Sequence, residues 1–385
     1  MKIALIGPVH PYRGGIAHYT TLLGQALCER GHELLLISFQ RQYPRWLFPG
    51  RSDRDPSEQP LMAPDAQYWI DSLKPWTWLT TFGRIRRYAP DLIVLQWWTS
   101  FWTPIWLTFV VLNRLKLRRP VVWICHNVLP HEASWLDRYA TQLVLRWGQQ
   151  WIIHSEAEQL KLRQLLPQAS STIVTMPVFP VFRGRIAKTD ALAKLHLPAK
   201  QKILLFFGIV RPYKGVLDLI QALPQIERVL GAVTLLVAGE FWQEQKQAVM
   251  TLIDDLKLNS VVILDDRYIP NEEVPLYFSA ADLLVAPYRQ VTGSAVIQSA
   301  LAWGLPIVTT SVVRPTLPPA QVALIAGWAT AGDPVTLANA VIACLQGDGL
   351  ADAPPSPLAS VDSWAPVIDL LAQVAGAQPN ALPRE

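Results

Sequence analysis

A chain of 385 residues exceeds what one hydrophobic core usually serves, so two domains are expected. Hydrophobic residues make up 51% and charged residues 17%, a balance that argues against disorder and for large buried sheets. The 34 basic and 30 acidic side chains leave a formal net charge of +4, too weak for nucleic acid to be the main partner.

The N-terminus carries one cation and then Ile3 to Ile6, too short for a signal-peptide core and stopped at once by Gly7-Pro8, so it reads as a first strand. The loop from Gly7 to Ile16 leads into a helix over Ile16 to Arg30 and ends in Gly14-Gly15. Glycines let a phosphate or sugar approach the backbone and leave the first helical N–H groups free. No third glycine stands three positions beyond a Gly-x-Gly, which argues against a nicotinamide enzyme and leaves a plain tight turn open. Glu33 to Ser38 is the next strand, and Trp46 to Pro64, rich in Pro, Arg, Asp and Ser, reads as a mobile loop.

Leu92 to Leu112 is the one candidate membrane span, but Gln96, Thr99, Ser100, Thr103 and Pro104 interrupt the roughly 20 apolar residues that spanning requires. It reads instead as a buried strand, Asp91 to Gln96, a loop, and an amphipathic helix after Pro104. Trp97, Trp98, Phe101, Trp102 and Trp106 lie between two cation groups, Arg84, Arg86, Arg87 and Arg114, Lys116, Arg118, Arg119. Aromatics beside cations suit an anionic membrane surface, and plain core filling is the competing reading. Cys28, Cys125 and Cys344 show no metal spacing, so neither disulfide nor structural zinc is expected and a reduced cytoplasmic compartment is the simplest inference.

Val121 to Cys125 runs directly into His126-Asn127-Val128-Leu129-Pro130-His131-Glu132. A histidine at the carboxyl end of a parallel strand points into the ligand crevice, where it can bond substrate or assist proton transfer; a histidine packed on a loop carbonyl is the alternative. Trp151 to Ile153 is a further strand, and Met176 to Pro198 reads as an interdomain linker. A second series follows: Ile203 to Phe207, Val233 to Ala238, Val261 to Leu264, Leu283 to Ala286 and Ile307 to Thr309. The expected fold is therefore α/β, two tandem Rossmann-like doubly wound domains with an interdomain cleft. Between the strand ending at Phe207 and helical spacing from Val216 to Leu223, Arg211 and Lys214 stand at a helix N-terminus, where a diphosphate would fit. Thr292-Gly293-Ser294 opens a second such turn, and the last helix runs from about Trp364 to Val374.

These segments together carry a resemblance: the Gly14-Gly15 loop, Gly31-His32, Gln96-Trp97-Trp98, His126 to Glu132, Arg211-Pro212-Tyr213-Lys214-Gly215, Ala238-Gly239-Glu240-Phe241, Arg267-Tyr268-Ile269-Pro270, Tyr277 to Asp282 and Ala302 to Pro306. In this order, over nearly the whole chain, they resemble the retaining GT-B glycosyltransferases of the group 1 family. The resemblance implies metal-independent, cofactor-free transfer of a sugar from a nucleotide diphosphate donor to a glycan or lipid-linked acceptor. Residues 1–178 would form the acceptor-side domain, 179–361 the nucleotide-sugar domain, and 362–385 a helix crossing back to the first domain, with a tail. Arg211 and Lys214 would neutralise the leaving diphosphate, with His126 near the reacting centre. Gly14, Gly15, Glu240, Arg267, Tyr268, Thr292, Gly293, Ser294 and Gln298 would contact the donor, and Trp97, Trp98, Asn127, His131 and Glu132 the acceptor.

The chain also departs from the pattern. Two glutamates eight positions apart in many such proteins correspond here to Val291 and Ser299, with a partial match to a glutamine variant at Gly293-Ser294-Ala295 and Gln298. Paired glycines after the following strand are replaced by Val313-Arg314. A catalytically silent protein that binds nucleotide sugar or polysaccharide as a scaffold is the alternative. A GT-B epimerase has little support, because no pair of acid and base carboxylates is suitably placed.

Overall fold

The computed structural model describes residues 1–44, 46, 50–130, 133–177, 184–242, 245–347 and 362–376. Two compact units result: the first comprises Met1–Asp55, Pro60–Thr175 and Asp362–Glu385, the second Pro56–Gln59 and Met176–Val361.

The first unit holds seven strands, β1 (Lys2–Ile6), β2 (Glu33–Arg41), β3 (Gln67–Asp71), β4 (Leu92–Trp97), β5 (Val121–Cys125), β6 (Gln150–Ile153) and β7 (Ser171–Ile173), in the order β3-β2-β1-β4-β5-β6-β7. Every adjacent pair is parallel. β4, β5 and β6 are buried along their whole length, which is why they read as unbroken apolar runs. β3 and β7 escape that reading because each is an edge strand with polar residues and one neighbour. The order reverses direction between β1 and β4, the place where ligands collect at the carboxyl ends of such sheets.

The aromatic run after β4 corrects a sequence expectation. It forms a short 3-10 turn (Ser100–Trp102) and a helix (Thr103–Leu112) whose Ile105, Trp106, Phe109 and Val110 are buried. Trp97, Trp102 and Trp106 are fully buried. Trp102 meets Phe39 at 4.7 Å and Trp98 at 5.2 Å between ring centroids, and Trp106 meets Trp123 at 6.4 Å. These rings therefore build the core, where ring packs against ring. The described part of the loop read as mobile is tied down as well: Arg13 N donates to Asp53 O, Asp55 N to Pro11 O, and the Arg54 guanidinium lies 4.6 Å from the Tyr12 ring centroid.

The second unit has six parallel strands, β8 (Lys202–Phe207), β9 (Val233–Ala238), β10 (Val262–Asp265), β11 (Leu283–Ala286), β12 (Ile307–Thr310) and β13 (Gly327–Ala329), ordered β10-β9-β8-β11-β12-β13. Alternate residues of β8 serve two cores: Leu204 and Phe206 join Ile220 and Val237 on one side, and Ile203 and Leu205 join Tyr277 and Ile297 on the other. Both faces are thus covered, which explains the continuous apolar run. Part of the segment read as a linker is instead a helix, Lys188–Lys194, with Ala191 and Leu192 buried. At seven residues it is too short to show a helical period.

Candidate active site

The turn after β8 is shaped by glycines that cannot be exchanged. Gly208 has φ 93° and its N–H donates to Ala238 O at 2.8 Å, while Val210 N donates to Glu240 O at 2.9 Å. A Cβ on Gly239 would stand 2.2 Å from Gly208 O, and one on Gly215, at φ 72°, 2.0 Å from Pro287 O. Backbone therefore crosses backbone at both positions, with room for hydrogen alone. Pro212–Lys214 forms a 3-10 turn, and the helix Val216–Leu230 follows with no side chain capping its N-terminus.

Lys214 lies inside this cage, half-buried, its Nζ 6.0 Å from the Tyr288 ring centroid and 3.1 Å from where a Gly208 Cβ would be. Among the described residues it has no carboxylate partner. Burial, with Arg211 beside it, pulls its pKa down to about 7. The Arg211 guanidinium lies over Trp242, 3.6 Å from the ring centroid, a cation–π contact that holds the long side chain in place. The neighbouring carboxylate, Asp218 in the first turn of the helix, is taken by Arg289 through two bonds of 2.8 and 2.6 Å. Two cations and free helical N–H groups thus converge with the nearby acid already neutralised, an arrangement that favours a doubly charged anion.

The other expected donor residues are placed less uniformly. Glu240 is buried, and Tyr268, Thr292 and Gly293 are half-buried. Ser294 caps the helix Ala295–Trp303 by accepting from Ile297 N at 3.2 Å and shares a hydrogen bond with the Tyr288 hydroxyl at 3.1 Å. Gln298 is buried in a reciprocal amide pair with Gln321, at 2.8 and 3.1 Å, so its side chain is committed to the core. Arg267 is held by Asp265, Glu273 and the Tyr277 hydroxyl, which raise its already high pKa, Glu273 foremost.

In the first unit Gly14 has φ 102°, and the exposed Gly15 opens the helix Gly15–Glu29 with no side chain capping its first N–H groups. His126 follows β5 directly, its N–H donating to Trp97 O at 2.9 Å. Its ring lies edge-on to Tyr19 at 4.9 Å and 5.7 Å from His154, and its Nε2 is 2.6 Å from Gln96 Oε1. Burial first and His154 second hold its pKa well below the ordinary histidine value, so the ring is neutral. Trp98 donates its indole N–H to the Tyr43 hydroxyl at 2.8 Å, and Asn127 is half-buried. Trp97 is fully buried with its indole N–H on Val128 O at 3.1 Å, which removes it from any acceptor surface. His131 and Glu132 lie outside the described residues.

Sequence reasoning passed over His154, Tyr19, Trp242 and the Asp218–Arg289 pair. His154 carries the same signal as His126, a histidine directly after an apolar strand, here β6. Its Nδ1 bonds Val174 O at 2.8 Å, and burial pulls its pKa down to about 4.

Two units built on parallel α/β sheets of seven and six strands define a GT-B-like architecture. Solved structures share it: HepE of Anabaena, crystallised with UDP and glucose, at TM-score 0.69 and 19% identity over 97% of this chain and 98% of that one; and a sucrose-phosphate synthase of Thermosynechococcus elongatus, at TM-score 0.66 and 20% identity over 97% and 96%. Residues 14–177 match the family described as Glycosyl transferase 4-like domain, and residues 201–347 that described as Glycosyl transferases group 1. Both halves of the chain thus match glycosyltransferase domain families, the second half the group 1 family. A GDP-mannose:glycolipid 4-beta-D-mannosyltransferase of Xanthomonas campestris pv. campestris is 27% identical over 209 residues, 51% of this chain and 52% of that protein. The matched region spans about half the length of the curated relatives.

Proposed function

We propose that the protein transfers a sugar from a nucleoside diphosphate donor to a glycan or lipid-linked acceptor, in the synthesis of a polysaccharide or glycolipid. The observation that carries this reading is Lys214, a half-buried ammonium without a carboxylate partner among the described residues, beside Arg211 at an uncapped helix N-terminus. Such a site favours negative charge developing on a departing diphosphate. Neutralisation by these two cations in place of a metal goes with the resemblance, and turnover in EDTA tests it. The test is a donor screen by calorimetry with UDP, GDP and ADP sugars, followed by turnover in the presence of EDTA. Lys214→Ala is expected to weaken donor binding ~10–100-fold, the worth of a charge-assisted hydrogen bond; a folded protein that neither binds nor turns over any donor overturns the proposal. Donor binding without turnover across a broad acceptor panel would favour the silent scaffold.

Retention at the anomeric carbon is the finer reading that goes with the resemblance. One observation favours inversion: the Xanthomonas relative's name states a beta linkage, which from an alpha-configured donor is inversion. The anomeric proton coupling of the first-formed product decides between them.

No helix among the described residues is long and apolar enough to cross a membrane. A cytoplasmic protein resting on an anionic membrane surface fits a different set of side chains from the buried aromatic run. Trp76 and Leu79 on the helix Pro75–Tyr88, Leu115, and Trp135, Leu136 and Tyr139 on the helix Trp135–Leu145 are each more than half exposed. The helix Thr103–Leu112 packs against both of these helices. Arg86, Arg87, Arg114, Lys116 and Arg138 are exposed on the same layer, where Asp137 is the one acid of these helices. Apolar anchors with cations around them match a headgroup layer.

A further inference from the structure

Gln96 is fully buried near the end of β4, and the resemblance implied no role for it. Gly7 at the end of β1 makes room for its side chain: a Cβ there would stand 2.6 Å from Gln96 Cγ and 2.9 Å from Thr20 Oγ1. Three elements are thus shaped around the approach of Gln96 Oε1 to His126 Nε2, at 2.6 Å. An amide oxygen accepts and does not donate, so Nε2 carries the ring hydrogen and Nδ1 keeps a lone pair. The other groups around the ring give a cation nothing to pair with. Tyr19 faces it from the helix Gly15–Glu29, and His154 from the end of β6 is neutral with its Nδ1 on Val174 O. Cys125 precedes it, fully buried, with its thiol pKa pushed up by burial and then by Glu158. Glu158 itself, on the helix Glu156–Leu165, is occupied by Lys161 Nζ at 2.5 Å and by Val128 N.

We propose that Gln96 is a positioning residue that locks His126 as the neutral Nε2–H tautomer, so that the ring offers a substrate hydroxyl a hydrogen-bond acceptor and not a charge. Gln96 acts through His126 and touches no substrate itself. The consequence for turnover rests on the glycosyl-transfer reading; the tautomer does not.

The test is long-range proton–nitrogen NMR of histidine-labelled protein between about pH 5.5 and 8. The expected spectrum shows a protonated Nε2 and an unprotonated Nδ1 for His126, unchanged over that range. A Gln96→Glu carboxylate would stabilise the imidazolium, so His126 is expected to titrate within the neutral range and kcat/KM to acquire an ionisation at the same pH. Gln96→Leu is expected to give a mixture of tautomers and a KM raised more than kcat is lowered. A wild-type Nδ1–H signature, the outcome of the opposite amide orientation, overturns the proposal. So does wild-type titration near the ordinary histidine value, or a Gln96→Glu protein with unmoved titration. Should that variant not fold, the wild-type spectrum still decides. A protein with the expected tautomer but no donor turnover upholds this inference while sinking the function.

Discussion

An ammonium taken out of water without a counter-ion gives up part of its charge, and Lys214 is in that position with Gly208, Tyr288 and Arg211 around it. Its pKa of about 7 in the free protein has a sign that can be worked through. Below pH 7 the side chain is charged and ready for a diphosphate. Above pH 7 it is neutral, and binding must take up a proton because the bound anion raises the pKa again. Donor affinity is therefore expected to be flat below about pH 7 and to fall by up to tenfold per pH unit above it. A nucleotide sugar is the right probe, since its diphosphate diester does not titrate there. Calorimetry at pH 8 in buffers of different ionisation enthalpy should show close to one proton taken up, and the uptake should vanish in Lys214→Met; zero uptake in the native protein would sink the idea.

The turns that hold these residues owe their form to elements that cross closely. Gly215 combines φ 72° with a carbonyl 2.0 Å from any Cβ, so Gly215→Ala is expected to cost ~1–2 kcal/mol from the left-handed conformation, with the carbonyl clash added to it. A urea titration should show a lowered midpoint together with lost donor binding; an unaltered midpoint would mean that the crossing is not as close as described. Ser134 provides a contrast. It caps the helix Trp135–Leu145 in a capping box with Asp137, and Ser134→Ala should lower stability by ~1 kcal/mol while donor affinity stays unchanged. The exposed outer faces of Pro75–Tyr88 and Trp135–Leu145 carry a prediction of their own. Protein should sediment with phosphatidylserine vesicles at low salt and be released at high salt, and Trp76→Ala with Trp135→Ala should abolish sedimentation. Equal binding to neutral phosphatidylcholine, or none to either lipid, would discard that surface.

At the scale of the molecule, the segment from Asp362 closes the first unit after the chain has built the second. Trp364 meets Tyr19 at 4.9 Å, and Val367, Ile368 and Leu371 are buried. Each such side chain is worth roughly 1.5–3 kcal/mol when fully buried. A chain ending before Asp362 should therefore show faster amide exchange in β4 and in Gly15–Glu29, with β8 to β13 little changed; unchanged exchange in β4 would remove the helix from the first unit's core. Most strands, their parallel character and the positions of the strand-to-helix turns were legible in the amino acids, because periodicity and the residue that follows a strand are local properties. Free and committed side chains in those turns were not legible. Gln298 was bound to a glutamine 23 residues away, and Trp97 was sealed in the core. Asp218 was neutralised by an arginine 71 positions on, and His126 was oriented by a glutamine 30 positions back. Such pairings are settled by contacts between segments distant along the chain, for which no local period exists, and they separate the residues able to meet a ligand from those that hold the turn in shape.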